Sequence, residues 1–572
     1  MKKLLRYMKG YRTQCVMGPI FKALEAIFEL CIPLVVKSII DVGIGNADKV
    51  YIIKMCGLMV LLGVVGLSST LVAQFFAARA ACGFSARLRS ALFSHTSSLS
   101  YSELDSIGTS SLITRMTSDV NQVQNGVNMF LRLFSRSPFI VFGAMIMAFT
   151  IDVDAALVFV GTIAVLLVVV FGIMAITVPL HKKVQKHLEK TVLATKENLS
   201  GVRVVRALSR ETEEESSYSS FNNAMTKALN KAGRVSAIMN PLTCAIINVA
   251  IIALISRGAV SVNSGNITQG EVVALYNYMS QILIELVKLA NLIVTVTKAL
   301  ACASRIEATL ETTSSITYGE DSIDRGSVEF KNVSCRYKNG GANAITDISF
   351  KAESGETIGI IGGTGSGKST VINMIPRFYD ASEGEITIGG KDIKDISKKE
   401  LADKIGVVPQ KSVLFRGTIA ENMRFGAPDI TDAEIESALK TAQAYDFVSE
   451  RGGMDTEVDA GGKNFSGGQK QRLCIARALI KKPSVLTLDD STSALDFATD
   501  ASLRKAIREL TPRPTLFIVS QRAASVMHAD KIAVLDRGEI VGMGKHEELL
   551  ETCEVYKEIY NSQFRANKEA AI

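Results

Sequence analysis

The nine residues Gly362–Thr370 have the types and spacing needed to bind phosphate. Their sequence, GGTGSGKST, fits the pattern GxxxxGK[ST]. In such a loop the glycines let backbone N–H groups point at phosphate oxygens, Lys368 neutralises the terminal phosphates, and the Ser369 hydroxyl is suited to bind Mg²⁺. The pattern predicts that a nucleotide phosphate chain is held by Gly362, Thr364, Gly365, Ser366, Gly367, Lys368, Ser369 and Thr370.

Two further segments offer matching chemistry. Val485–Asp489 is an apolar strand that ends in a carboxylate, which makes Asp489 a candidate Mg²⁺ ligand beside Ser369. A helix is expected to begin at the sequence SGGQ, and its free N–H groups predict a second phosphate-binding segment. That segment consists of Ser466, Gly467, Gly468 and Gln469.

The elements that must position these residues are those of an α/β domain. Short apolar strands alternate with helical patterns from Ser327 onward, so residues 327–572 are predicted to form this domain. Thr357–Ile361 is the predicted strand before the phosphate loop, and a helix is expected from about Ser369. Residues 311–326 are polar and rich in turn formers, and they are predicted to be a linker.

Residues 1–310 have a different character and are predicted to be a transmembrane domain. The alternating basic and apolar residues of the first dozen positions favour a helix lying on the cytoplasmic membrane surface. Six apolar stretches follow, each near the ~20 residues that cross a bilayer. They lie around Val16–Ile40, Ile52–Ala78, Phe130–Ile151, Ala155–Val178, Ile238–Val262 and Val272–Leu300.

Loop charges predict the orientation. The short connections hold few Lys or Arg, whereas the long ones, from Arg79 to about Asn128 and from His181 to Arg234, are basic. The positive-inside rule places both long loops and both chain ends in the cytoplasm. Within the long loops, Leu193–Arg210 has helical periodicity. The alternative, buried helices of a large soluble protein, is disfavoured by the regular spans and the loop asymmetry.

Several ionisable residues fall inside the predicted spans, where an isolated charge is unfavourable. Two interpretations stay open: a polar translocation pathway, or structural ion pairs, with snorkelling at the interface as a further possibility for the arginines. Helical spacing places Glu25 and Glu29 on one face and lets Glu285 pair with Lys288. The residues concerned are Glu25, Glu29, Arg132, Arg136, Glu285 and Lys288.

Composition excludes other classes. The chain of 572 residues is 47% hydrophobic and 21% charged, with a net charge of +7, which argues against disorder and against a small disulfide scaffold. Its positive charge lies in the hydrophobic half, so no nucleic-acid partner is expected. The nine cysteines form no CxxC pair and are interpreted as free thiols.

Taken in order, the motifs resemble the nucleotide-binding domain of ATP-binding cassette (ABC) transporters, and six spans before one such domain resemble an exporter half-transporter. The resemblance implies an α-helical six-span domain joined to an α/β phosphate-loop domain with a helical subdomain. It implies ATP and Mg²⁺ as cofactors, Tyr337 stacking on adenine and Gln410 contacting Mg²⁺. Ser493–Asp496 resembles the D-loop, and Ser110–Val123 and Glu197–Ala207 resemble the segments that hold coupling helices.

The chain departs from this family at two catalytic positions. Asp490 stands where the family has a Glu that polarises the attacking water, and the missing methylene leaves its carboxylate about 1 Å short. Gln521 stands where the family has a switch His. Its amide can hydrogen-bond a γ-phosphate, but it carries no positive charge and cannot accept a proton. Both changes predict a site that binds ATP and hydrolyses it slowly.

The signature Ser466–Gln469 is intact, and in this family it serves a partner's phosphate loop. The whole pattern resembles the degenerate-site subunit of heterodimeric bacterial multidrug exporters. That implies a second, non-identical half-transporter carrying the catalytic Glu and His, and a multi-pass location in the bacterial cytoplasmic membrane. The expected cargo is hydrophobic or amphipathic: drug-like compounds, lipids or small peptides. The alternative is an ATP-gated channel or regulatory membrane subunit that does not pump.

Overall fold

The computed structural model describes residues 3–324, 326–338, 340–491 and 494–569. Contacts divide the chain into two units. One contains the residues up to Ser97 together with Ser110–Glu311, and the other contains Ser98–Thr109 and the residues from Thr312 onward. The segment Ser98–Thr109 therefore groups with the C-terminal unit, although its neighbours in sequence belong to the first.

The first unit is helical. A 3-10 helix at Leu4–Tyr11 precedes the α-helices, and π-helical segments lie at Ile39–Ile44 and Arg115–Asp119. The α-helices before Thr312 are α1 (Arg12–Ser38), α2 (Lys49–Ser98), α3 (Tyr101–Ile107), α4 (Thr109–Thr114), α5 (Val120–Leu133), α6 (Arg136–Ile151), α7 (Val153–Ala207), α8 (Glu211–Asn263) and α9 (Gln269–Glu311). Of these, α3 belongs to the second unit.

Five helical segments in the described part of the chain are long and apolar enough to cross a membrane, where the sequence predicted six. The helix α1, which holds the first predicted stretch, is not among them, because its charged residues Lys22, Glu25, Glu29 and Lys37 interrupt the apolar run. The five segments are Lys49–Ser98, Thr109–Ile151, Val153–Ala207, Glu211–Asn263 and Gln269–Glu311.

The helices extend well beyond the predicted spans. α2 continues past Ala78 to Ser98, and α7 continues past Val178 to Ala207, so that much of the two long loops is helix. The helix predicted over Leu193–Arg210 is present as far as Ala207. The third predicted span is interrupted instead, because α5 ends at Leu133 and α6 begins at Arg136.

Small residues let the helices of the first unit approach closely. Ala26 of α1, Ala144 of α6 and Ala274 of α9 are fully buried in one apolar cluster with residues of α7 and α8. Tyr278 is also fully buried there, and its hydroxyl donates to the Leu30 carbonyl at 2.8 Å. Close helix packing through small residues, with polar groups satisfied internally, is the pattern of membrane helix bundles.

The second unit is built on three sheets. A six-stranded sheet has the order β12-β11-β3-β10-β9-β6, in which β12 alone is antiparallel to its neighbour. A four-stranded antiparallel sheet has the order β2-β1-β4-β5, and β7 pairs with β8. The strands are β1 (Val328–Cys335), β2 (Ile345–Ala352), β3 (Thr357–Gly362), β4 (Glu383–Ile388), β5 (Lys391–Asp392), β6 (Ile405–Val408), β7 (Gly417–Thr418), β8 (Glu457–Val458), β9 (Val485–Asp489), β10 (Thr515–Val519), β11 (Lys531–Asp536) and β12 (Glu539–Gly544).

The central strands are buried because helices cover one face of the sheet, while other helices and the four-stranded sheet cover the opposite face. Every residue of β3, β9 and β10 is buried. The helices of this unit beyond α3 are α10 (Lys368–Met374), α11 (Lys398–Lys404), α12 (Ile419–Arg424), α13 (Asp432–Thr441), α14 (Tyr445–Glu450), α15 (Gly467–Leu479), α16 (Phe497–Arg508), α17 (Ala523–Val526), α18 (His546–Thr552) and α19 (Glu554–Glu569).

Candidate nucleotide site

Sheet topology brings the predicted chemistry to one edge. The strands β3, β10, β9 and β6 are neighbours and parallel, so their carboxyl ends meet there. The phosphate loop follows β3, Gln521 lies shortly after β10, Asp490 follows β9, and Gln410 lies shortly after β6. They line a cavity of about 420 Å³ whose walls are Asn343, Ala344, Thr364, Gly365, Ser366, Gly367, Lys368, Ser369, Thr370, Gln410, Asp489, Asp490, Val519, Gln521 and Arg537.

The glycines of the loop fit a phosphate cradle. Gly365 and Gly367 have φ of 81° and 97°, a conformation that other residues rarely adopt. A Cβ at Gly362 would overlap the Leu535 carbonyl oxygen, whereas Gly363 and Gly365 face open space. The loop therefore leaves room for phosphate beside Gly363 and Gly365, whereas a side chain at position 362 would clash with the backbone of β11.

Lys368 is buried at the base of the loop. Its ammonium donates to the carbonyl oxygens of Gly362 at 2.9 Å and Gly363 at 2.5 Å. Burial lowers the pKa of Lys368, and the carboxylates of Asp490 and Asp489 oppose that shift. These partners are neutral carbonyls, so the cation is available to an incoming phosphate.

The side chains of Ser369 and Asp489, the two candidate Mg²⁺ ligands, are in direct contact. The Ser369 hydroxyl donates to Asp489 Oδ1 at 3.1 Å. Burial raises the pKa of Asp489, and the bond from Ser369 partly offsets the shift. Both oxygens suit Mg²⁺, which prefers a few protein ligands together with phosphate and water oxygens. In the described residues no group of three or more His, Cys, Asp and Glu side chains could hold a metal ion.

Asp490 lies in the left-handed region of backbone conformation, with φ of 45°. Asp tolerates this region better than most residues. Its N–H donates to the Val519 carbonyl at 3.0 Å, which ties it to the end of β10. Burial raises the pKa of Asp490, and a side-chain hydrogen bond with Gln410 lowers it in part. Gln410 thus contacts the Asp490 side chain and also lines the cavity.

Gln521 is exposed on the cavity wall, one residue beyond the buried Ser520. Ser520 N–H donates to the Ile360 carbonyl at 3.1 Å, which continues the β3–β10 ladder to the edge of the site. The backbone oxygen of Gln521 accepts a bond from Gln563 Nε2 at 2.8 Å. Gln563 has no motif around it, and no signal in the sequence pointed to it.

Tyr337, which the resemblance implies would stack on adenine, lies two residues beyond the end of β1 at Cys335. Its hydroxyl is 3.1 Å from Thr370 Oγ1 of the phosphate loop. Its ring meets that of Tyr379 edge to face, with centroids 4.9 Å apart. Burial raises the pKa of Tyr337. The ring therefore adjoins the phosphate loop but is not part of the cavity wall.

The signature segment forms the start of α15. Ser466 accepts from the Gln469 N–H at 3.3 Å, and Gln469 Oε1 accepts from the Ser466 N–H at 3.1 Å, which is a capping box. A Cβ at Gly468 would lie 3.0 Å from the Ala494 carbonyl. None of Ser466, Gly467, Gly468 and Gln469 lines the cavity that holds the phosphate loop.

The two segments that resemble coupling-helix regions, Ser110–Val123 and Glu197–Ala207, both belong to the first unit. The segment that groups with the nucleotide-binding unit is Ser98–Thr109. Aromatic contact explains the grouping: Tyr101 packs on Phe378 with centroids 4.6 Å apart, and Tyr379 donates to Asp105 at 2.6 Å.

Glu197–Ala207 forms the end of α7. Ser493 of the predicted D-loop lies outside the described residues, and Asp496 caps α16.

Four residues of the cavity wall were not predicted from the sequence: Asn343, Ala344, Val519 and Arg537. Arg537 occupies the turn between β11 and β12 with φ of 47°. An arginine before a glycine in a hairpin turn carries no distinctive signal, so only the fold could place it beside the phosphate loop.

The first unit contains a second polar site, a buried charge network around Arg136. Its guanidinium contacts carboxylates of Glu285 at 2.5 Å, Glu29 at 2.6 Å and Glu25 at 3.4 Å. Lys288 pairs with Glu285 at 2.8 Å, as the spacing predicted. Snorkelling, considered from sequence for the arginines, is wrong for Arg136, because its side chain is 10% exposed and surrounded by three carboxylates.

The fold and the cavity together define a membrane protein with an attached ATPase domain. Residues 15–286 match the ABC transporter transmembrane region and residues 345–493 match the ABC transporter domain. The chain is 36% identical over 567 residues to the "Uncharacterized ABC transporter ATP-binding protein YfiB" of Bacillus subtilis (strain 168), covering 99% of both chains. It is 28% identical over 575 residues to an "ATP-dependent lipid A-core flippase" of Vibrio vulnificus (strain CMCP6), covering 98% of this chain and 97% of the flippase.

A bacterial Atm1-family ABC exporter solved with ATP bound has the same fold. Its TM-score is 0.82 at 24% identity, and the match covers 97% of this chain and 98% of that one. The chain therefore belongs to the ABC transporter family. Within it, the pairing of one membrane domain with one ATPase domain makes it an exporter-type half-transporter.

Proposed function

We propose that this chain is one half of a heterodimeric exporter, and that its own nucleotide site binds MgATP but hydrolyses it slowly. The observation that carries the proposal is the pairing of Asp490 and Gln521 at neighbouring strand ends of one cavity. Each replaces a family residue that moves a proton or a charge during hydrolysis. A single replacement could arise by neutral sequence drift, whereas two replacements in one nucleotide site both affect the hydrolysis of ATP.

The geometry of Asp490 supports slow hydrolysis. A general base must first reach its proton before its pKa matters. The aspartate side chain is one methylene shorter than glutamate, and its backbone is held by the bond to the Val519 carbonyl, so it cannot advance to compensate. A misplacement of about 1 Å can lower a rate by about 10²-fold.

The phosphate loop, by contrast, keeps every group needed to bind. Lys368, Ser369 and Asp489 are positioned for phosphate and Mg²⁺, and Gln521 can donate to a γ-phosphate without charge. ATP bound here would remain intact for longer than at a complete site. It would serve to hold the two nucleotide domains together.

The signature Ser466–Gln469 would act on the partner. It is intact and capped, and its residues do not line this chain's own cavity. A second half-transporter that carries the catalytic Glu and His would place its phosphate loop there. Hydrolysis at that composite site would reset the transporter.

In the membrane we propose six crossings, with α1 as the first. Its charges would be accommodated because Glu25 and Glu29 pair with Arg136 rather than with lipid, and Glu25 also pairs with Lys22 at 2.5 Å. The basic long loops favour a cytoplasmic N-terminus and nucleotide-binding domain in a bacterial cytoplasmic membrane.

The cargo we propose is hydrophobic or amphipathic: a drug-like compound, a lipid or a small peptide. The relative named as a lipid A-core flippase supports a bilayer-borne substrate. The Arg136 network would line the pathway on its more accessible side, where Glu29 is 34% and Lys288 is 40% exposed. A polar group of an amphipathic cargo could exchange with these ends of the network.

The test is ATPase activity of the purified chain alone and with the half-transporter that co-purifies with it. Slow turnover alone and robust turnover in the pair are expected, with the paired activity lost when the partner's catalytic Glu is replaced by Gln. Robust turnover by the lone chain, unaffected by Asp490→Asn, would refute the proposal.

A slow site also fits an ATP-gated channel or regulatory subunit. Concentrative uptake into inside-out vesicles separates the two functions, because a channel cannot sustain a gradient. Accumulation of a fluorescent amphipathic dye that collapses when ATP is removed supports export. Equilibration without accumulation supports the channel.

A further inference from the structure

The last described helix, α19, belongs to no nucleotide motif, yet it is firmly fixed on the sheet behind the phosphate loop. Tyr556 is fully buried in the core, and its hydroxyl is 2.7 Å from His546 Nδ1. Ile559, Tyr560 and Phe564 pack against the same core, and the last two rings stack with centroids 4.4 Å apart. A helix anchored in this way can hold a neighbouring loop in place.

Gln563 on this helix makes two hydrogen bonds to the segment that carries Gln521. Its Oε1 accepts from the Ala523 N–H at 2.9 Å, and its Nε2 donates to the Gln521 carbonyl at 2.8 Å. Because one partner can only donate and the other can only accept, a single orientation of the amide satisfies both. The two partners, Gln521 and Ala523, are the residues immediately before and after Arg522.

The opposite end of this segment is fixed by the sheet. Ser520 N–H donates to the Ile360 carbonyl at 3.1 Å, and Arg522 N–H donates to Ser520 Oγ at 3.0 Å. The backbone of Gln521 is therefore held from β3 on one side and from α19 on the other. Its side chain is left exposed on the cavity wall.

We infer that Gln563 is a positioning residue for the nucleotide site: its amide holds Gln521 where it meets the terminal phosphate, so that α19 sets how well the site distinguishes ATP from ADP. The inference rests on the proposed function, in which Gln521 contacts the γ-phosphate. Gln563 itself does not line the cavity.

A merely structural role for Gln563 predicts a different result. If the two bonds only attached α19, their loss would lower thermal stability and change ATP and ADP affinity alike. A positioning role lowers ATP affinity selectively, because ADP has no γ-phosphate for Gln521 to meet. Full loss of a hydrogen bond from Gln521 to the charged phosphate corresponds to a change of about 10- to 100-fold in the ATP-to-ADP affinity ratio, and a displaced Gln521 loses part of that effect.

The experiment measures Mg²⁺-dependent ATP and ADP affinity of the full chain in detergent or nanodiscs. Gln563→Met keeps the side-chain length and removes both bonds. Gln563→Glu keeps the acceptor for Ala523 but loses the donor to Gln521. Ser562→Ala is the matched control, because Ser562 is exposed on the same helix and bonds only to the Ile559 carbonyl among its described contacts.

We expect Gln521→Ala to lower the ATP-to-ADP affinity ratio by about 10- to 100-fold, and Gln563→Met and Gln563→Glu each to lower it by at least about threefold. Ser562→Ala should leave the ratio unchanged. Because Gln563 acts through Gln521, the double variant Gln521→Ala/Gln563→Met should be no worse than Gln521→Ala. An unchanged ratio in both Gln563 variants, with a lowered ratio in Gln521→Ala, overturns the inference alone. An unchanged ratio in Gln521→Ala overturns the proposed role of Gln521 and the inference with it.

Discussion

Arg136 in the membrane unit and Lys368 in the nucleotide unit are equally buried, since 8% of the surface of each whole residue is exposed. Their cationic groups, however, have different partners. Arg136 contacts three carboxylates contributed by two other helices. Among the residues that the structure describes, Lys368 donates to neutral oxygens of its own loop, the carbonyls of Gly362 and Gly363 and the Ser366 hydroxyl. The first cation is ion-paired on several sides and links α1, α6 and α9. The second is held by weak partners and remains available to a ligand.

Removing Arg136 should give the largest effect. Arg136→Met leaves Glu25, Glu29 and Glu285 with less compensation, and breaking a buried pair in this way destabilises by about 3–5 kcal/mol. Thermal unfolding of the protein in nanodiscs measures it. Lys298→Met, an exposed site on α9, is the matched control and should change little. An unfolding temperature equal to that of the wild type in Arg136→Met would show that the network does not stabilise the bundle.

Removing Lys368 should weaken ligand binding without unfolding the domain. Lys368→Ala is expected to lower MgATP affinity by about 10- to 100-fold, since bonds to charged groups are each worth about 1.5–3 kcal/mol. Equilibrium binding of a fluorescent ATP analogue measures the change. Lys482→Ala, an exposed lysine of the same unit, should bind as the wild type does. If Lys368→Ala lowered the stability of the domain strongly and left MgATP affinity unchanged, Lys368 would have the same structural role as Arg136, which would contradict this comparison.

The pH dependence of MgATP binding gives a smaller effect. Burial raises the pKa of Asp489 and lowers the pKa of Lys368. As pH falls, Asp489 takes up a proton at a higher pH than an ordinary Asp, and Mg²⁺ affinity declines. As pH rises, Lys368 loses its proton at a lower pH than an ordinary Lys, and phosphate affinity declines. Asp489→Asn should therefore flatten the acidic limb of the affinity profile and leave the alkaline limb. Identical acidic limbs in both proteins would contradict the assignment.

Several elements of the candidate nucleotide site depend on local patterns, and in these elements the structure agrees with the sequence. The apolar run Val485–Asp489 is β9 residue for residue, and the glycine spacing of Gly362–Thr370 fixes its own backbone. Parallel pairing then brings Asp490 and Gln521 together, since Asp489 lies opposite Val519. Strand order brings these motif residues together, whereas Asn343 and Arg537 join the cavity wall only through the fold.

What the sequence could not predict depends on contacts between distant segments. Arg136 meets Glu285 across the helix bundle, and hydropathy alone gave no reason to prefer that to a position at the membrane surface. Ser98–Thr109 groups with the C-terminal unit through Tyr101 and Asp105, which have no motif around them. Gln563 is likewise an ordinary helix residue until the fold brings it to Gln521.

The most direct measurement is single-turnover hydrolysis of ATP bound to this chain's own site, with protein in excess, for the wild type and for Asp490→Glu/Gln521→His. Restoring the longer carboxylate and the charged, proton-accepting side chain should raise the rate by about 10²-fold or more, with MgATP affinity little changed. A wild-type rate equal to or above that of the double variant would contradict the central claim.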